Sequence, residues 1–132
     1  MIKTIDTKNA PAATGPYSQG KQINNVIYLS GQIPINPITG GVQGITIIEQ
    51  TEQVIANIKA ILKSVDLSLD SVLKTMCFLT DMDHFAEFNS VYEKYFVSKP
   101  ARSCIAVKQL PKNALIEIEI IALAESVSHC SS

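Results

Sequence analysis

Of the 11 lysine and arginine residues in the chain, Arg102 is the only arginine. Lysine suffices wherever a solvated positive charge is enough. A retained arginine points to a task that needs the planar five-donor fork, such as a two-point grip on a carboxylate or phosphate. A second chemical signal lies in Leu115-Ile116-Glu117-Ile118-Glu119-Ile120, which alternates strictly. Alternation in a strand sends Ile116, Ile118 and Ile120 to one face and both glutamates to the other. A glutamate partly withdrawn from water there acquires a raised pKa and can move a proton. Tyr17 follows Gly15-Pro16, a rigid pair that fixes where the phenol points. Gly31, at the end of a strand-like run, permits close backbone approach by a ligand or another chain. Cys104 shares a strand face with Arg102, but no histidine lies near it in sequence, so nothing lowers its pKa toward a nucleophilic thiolate. Asp81, Asp83, His84 and Glu87 have the residue types of a metal cluster. Capping explains them better, with Asp83 as the N-cap of a following helix.

These residues need a scaffold, and the periodicities supply one. A short edge strand is expected at Lys3–Ile5, followed by a Pro- and Gly-rich loop through Gly20. Lys21–Asn24 and Val26–Ser30 form a hairpin turning at Asn24-Asn25, and 34–44 is a turn-rich loop. Thr46-Ile47-Ile48-Glu49 is a capping box opening a helix with one apolar face that ends near Val65-Asp66. Ser71–Leu79 is apolar on both parities and is expected as a buried strand. A second helix carries Phe85, Phe88, Tyr92, Tyr95 and Phe96 at three-to-four spacing and stops before Pro100. Arg102–Val107 and Leu115–Ala124 are the last strands. Antiparallel pairing of these two through the 108–114 turn is expected to bring Arg102 and a glutamate to one face; the spacing does not choose between Glu117 and Glu119. The result is an α+β domain, a sheet with two helices on one face.

The length of 132 residues fits one domain, expected over 1–125, with a small polar tail over 126–132 expected to be disordered. A net charge of −1 with scattered lysines argues against nucleic-acid binding. Three cysteines without CxxC spacing fit a reducing compartment. Met1-Ile2-Lys3-Thr4 lacks the apolar run of a signal peptide, and no stretch is apolar enough to span a membrane, so a cytoplasmic protein is expected. The face bearing Glu117, Glu119, Ile121 and Leu123 is half apolar and lies away from the helices. Such a face is expected to be buried against another copy of the chain.

Gly15-Pro16-Tyr17-Ser18-Gln19, Ser30-Gly31-Gln32-Ile33-Pro34, Glu49-Gln50-Thr51 with Asn57, Phe85 through Asn89 with Tyr92, Pro100-Ala101-Arg102-Ser103, Leu110-Pro111 and Ile116-Glu117-Ile118-Glu119 together resemble the RidA (YjgF/YER057c/UK114) family. The resemblance runs in order from about residue 3 to residue 124. It implies a chorismate-mutase-like mixed sheet and a homotrimeric, barrel-like assembly with clefts between subunits. It implies cofactor-independent hydrolysis of 2-imino acids, such as 2-iminobutanoate and 2-iminopropanoate, to 2-oxo acids and ammonia. Carried over, Arg102 would grip the substrate carboxylate and Glu117 would orient or deprotonate water. Tyr17, Ser30, Gly31, Asn89 and Cys104 would line the cleft, Cys104 mainly through its backbone. Only Val97-Ser98-Lys99 separates Phe96 from Pro100, several residues fewer than the family pattern. Two other readings remain: a regulatory module that binds small carboxylates without turnover, and the endoribonuclease or translation-inhibitor activity attributed to some relatives.

Overall fold

The computed structural model describes residues 1–124. The 126–132 tail, with His129 and Cys130, lies outside the described residues. Six strands, β1 (Ile2–Ile5), β2 (Gly20–Ile23), β3 (Val26–Gln32), β4 (Val72–Leu79), β5 (Ala101–Ala106) and β6 (Ile116–Leu123), form one mixed sheet in the order β1-β2-β3-β6-β4-β5. Helices α1 (Ile47–Lys63) and α2 (Phe85–Tyr95) pack on one face. The α+β architecture and the two-helix layer are as the sequence pattern implies. None of the described helices is long and apolar enough to cross a membrane.

The local signals account for the elements. β2 and β3 form a hairpin whose turn residue Asn24 sits at φ 51°, a conformation asparagine tolerates. Both halves of the capping box are made at α1: Thr46 Oγ1 accepts from the Glu49 amide, and the Glu49 carboxylate accepts from the Thr46 amide. One face of α1 then buries Val54, Ile55, Ile58, Ile61 and Leu62 against Ile116, Ile118 and Ile120 of β6. Alternation in β6 is thus read out directly, with isoleucines under the helices and glutamates on the far face.

Three expectations are corrected. β5 does not pair with β6. It runs parallel to β4, while β4 pairs antiparallel with β6, so β4 lies between the strands carrying Arg102 and Glu117. The 85–95 helix between β4 and β5 is the reason: a strand–helix–strand crossover returns the chain parallel to its first strand. Second, Asp83 does not cap α2. Asp81 Oδ1 accepts from the Asp83 amide and caps a short 3₁₀ turn, Met82–His84, that feeds α2 without a side-chain cap. Third, β4 is not buried on both faces. An irregularity at 72–74 puts Val72 on the helix side with Thr75, Cys77 and Leu79, while Leu73 is exposed and Met76 and Phe78 are half-buried on the other side.

Candidate active site

Cross-strand partners share a sheet face. Thr75 pairs with both Arg102 and Ile120, and Phe78 pairs with both Ile105 and Glu117. Ile120 is buried under the helices, so Arg102 and Cys104 belong to the helix face, whereas Glu117 belongs to the opposite one. The expected convergence of Arg102 and a glutamate on one face therefore does not occur within a chain. The predicted site residues fall into two clusters.

The first is built by α2 and edge strand β5. Arg102 Nη1 donates to Asn89 Oδ1 at 2.7 Å. Its guanidinium carbon sits 4.6 Å from the Tyr92 ring centroid and 5.5 Å from that of Phe85, within cation–π range. Tyr92 is fixed in turn: it stacks on Phe96 at 4.4 Å, and its hydroxyl bonds Thr75 Oγ1 at 2.8 Å. Burial raises the Tyr92 pKa, so the phenol stays protonated. Among the described residues no carboxylate forms an ion pair with Arg102, which faces a cleft of about 410 Å³ that also carries Glu93, Lys99 and Pro100. Cys104 lies beside it, directly across from Cys77. Burial pushes both thiols up, Cys77 to about 12, and the Arg102 charge only partly offsets this at Cys104. A protonated thiol is a poor nucleophile.

The second cluster gathers Tyr17, Ser30, Gly31 and Glu117 where loops meet the ends of β3 and β6. A Cβ on Gly31 would overlap the Glu117 side chain, with Cδ 2.8 Å away, so the Glu117 carboxylate lies over the bare Gly31 backbone. Ser30 is tied down rather than free: its Oγ donates to the Ser18 carbonyl at 2.6 Å and its amide to the Gln19 carbonyl at 2.9 Å. Buried Gln19 staples the loop, accepting from the Thr7 amide and donating to the carbonyls of Thr7 and Pro11. On the other side, buried α1 amides hold the strand ends: Gln50 Oε1 accepts from the Leu115 amide, and Asn57 Nδ2 donates to the carbonyls of Ile33 and Ile35. Glu117 is half-buried, and its pKa is raised by burial first and by the neighbouring Glu119 charge second. Tyr17 remains exposed.

Sequence reasoning overlooked Phe85 and Tyr92 as the seat of Arg102 and Gln19 as the loop staple. The aromatic stripe at positions 85, 88 and 92 was visible, but without the parallel β4–β5 pairing nothing placed it under Arg102. Among the described residues, no group of three or more His, Cys, Asp or Glu side chains is placed to hold a metal.

A model of the family described as Endoribonuclease L-PSP matches residues 7–124. The chain belongs to this family, the RidA/YjgF family of the sequence resemblance. Within it, the chain is 46% identical over 127 residues to a protein of Escherichia coli K12 named 2-iminobutanoate/2-iminopropanoate deaminase, covering 93% of this chain and 98% of that one. It is 52% identical over 126 residues to the regulator candidate AldR of Lactococcus lactis, covering 95% and 100%. The solved structure of Escherichia coli TdcF with bound serine superposes with a TM-score of 0.88 at 39% identity, covering 94% and 99% of the two chains.

Proposed function

We propose that the chain is a cofactor-independent deaminase of small 2-imino acids, working as a homotrimer whose site takes Arg102 from one copy and Glu117 from the next. The observation that carries this reading is Arg102 itself. It is partly withdrawn from water, held on Tyr92 and Asn89, and left without an acidic partner among the described residues. Such a group is a ready anchor for a small carboxylate. The name of the Escherichia coli relative supports the imine as substrate.

The need for a second copy follows from the opposite-face placement. The glutamate face also carries Tyr28, Leu73 and Ile105, each about half exposed, beside half-buried Met76, Phe78, Ile121 and Leu123. Covering these apolar side chains favours association at roughly 25 cal/mol per Å² of apolar area. A closed ring of identical copies can present edge strand β5 of one subunit to the Glu117 cluster of its neighbour.

In the reaction, the Arg102 fork holds the carboxylate of a 2-imino acid, and the Glu117 carboxylate takes a proton from water as its oxygen adds to the imine carbon. The C=N π electrons move to nitrogen, which takes that proton from Glu117. The resulting carbinolamine then collapses: Glu117 takes the hydroxyl proton and passes it to the amino nitrogen, the O–H electron pair forms C=O, the C–N bond breaks with its pair going to nitrogen, and ammonia leaves. Water is consumed and nothing is oxidised. A carboxyl group with a raised pKa suits both directions of proton transfer. The regulatory-module reading separates by assay. The test is release of 2-oxobutanoate and ammonia from 2-iminobutanoate made in situ by a threonine dehydratase. Acceleration over spontaneous hydrolysis is expected; carboxylate binding without acceleration would favour the regulatory module instead.

A further inference from the structure

Next to the Glu117 cluster, and sharing Tyr17 and Gly31 with it, lies a cavity of about 230 Å³. Its apolar walls include Pro11, Ile33 and Ile35, and the only charged residue lining it is Lys112. A methyl or ethyl side chain would leave most of this space unused, since it holds about seven water-sized groups. The wall amides are already engaged: Gln19 with Thr7 and Pro11, Gln32 with the Ser30 carbonyl, and Asn36 with Gln43. The Lys112 ammonium differs. Its described bond, 3.3 Å to the Gly40 carbonyl, is to a neutral acceptor, and no acid pairs with it among the described residues. Its backbone lies in the left-handed region at φ 57°, in the Pro111–Asn113 turn directly before β6.

We infer that this cavity receives the substrate side chain and that Lys112 favours 2-imino acids whose side chain carries a second carboxylate. The inference rests on the deaminase reading above, with Arg102 of the neighbouring copy on the first carboxylate. A cavity with apolar stretches in its wall and one cation without an acidic partner among the described residues suits a short methylene chain with an anionic end. No lining carboxylate opposes it, so a cationic side chain gains nothing there. Because Lys112 is exposed, the pair is partly solvated, and the preference is about three- to fivefold.

The test compares two stable product-like inhibitors of 2-iminobutanoate hydrolysis with the same number of carbons: 2-oxoglutarate, with the second carboxylate, and 2-oxopentanoate, without it. The expected result is a Ki about three- to fivefold lower for 2-oxoglutarate at low salt, shrinking as salt is added. In Lys112→Met the two inhibitors should become equal, and Lys112→Arg should restore the difference, with melting curves confirming that each variant is folded. Equal Ki values in the wild type, or a preference that survives Lys112→Met, would overturn the inference. Failure of the deaminase reading shows separately, as no turnover of 2-iminobutanoate without inhibitor, and takes the inference with it.

Discussion

The Arg102 cluster and the Glu117 cluster are built by different means. Arg102 stands on the helix face, on aromatic rings that continue into the core through Phe88, Tyr92 and Phe96. Its position is set by the same packing that holds α2 to the sheet. Glu117 stands on the other face, positioned by a glycine approach and by loops stapled with buried amides. Arg102 is therefore placed by hydrophobic packing, and Glu117 by hydrogen bonds at strand ends. In the proposed function the first is the anchor and the second the proton handler, brought together by a neighbouring copy. Changes at the first cluster should be felt as lost grip on the substrate, and changes at the second as lost chemistry on a substrate still bound.

The largest effect should come from Glu117→Gln, which keeps shape and removes the basic oxygen. Turnover is expected to fall roughly 10²–10⁴-fold, with 2-oxobutanoate binding retained by calorimetry. Loss concentrated in Glu119→Gln instead would move the proton-handling role to the exposed glutamate. Arg102→Lys keeps the charge but removes the fork. A reacting carbon displaced by about 1 Å costs on the order of 10²-fold, so kcat/KM should fall by about that factor while the melting temperature stays near wild type. Near-wild-type turnover would reduce Arg102 to a charge balance.

A pH series sharpens the contrast further. Glu117 must be ionised to accept a proton from water, and its pKa lies above the ordinary value of 4.5. Activity should therefore fall with decreasing pH at a higher pH than an unperturbed glutamate would give. Since Glu119 contributes to the raised value, Glu119→Gln should move that acid limb downward. An unchanged limb would show that another group governs it. The smallest effect is expected from Cys104→Ser, less than about threefold in kcat/KM, because burial keeps the thiol protonated.

Local features of the fold were legible because local residues determine them. The Thr46–Glu49 capping box, the turn at Asn24 and the alternation of β6 each depend on contacts within a few positions. The chemical residue types stood out too, with Arg102 marked by being the only arginine. What failed was pairing at a distance. The 108–114 segment looked like a hairpin turn, yet β6 inserts between β3 and β4. The clue was present in the strand–helix–strand order of residues 72–106, which demands a parallel return. Missing it put Arg102 and Glu117 on one face of one chain. The irregularity at 72–74 was equally hidden, because an extra residue in a strand reverses the parity on which face assignments rest.

The central claim, a site shared between copies, is tested most directly by mixing two inactive variants. Arg102→Ala and Glu117→Ala chains, co-expressed with different tags and purified as mixed oligomers, each keep the half that the other lacks. If Arg102 of one copy works with Glu117 of the next, each mixed trimer regains one intact site in three, and hydrolysis of 2-iminobutanoate should return to roughly a third of wild type. Mixed oligomers that form but stay as inactive as either variant alone would contradict the shared site.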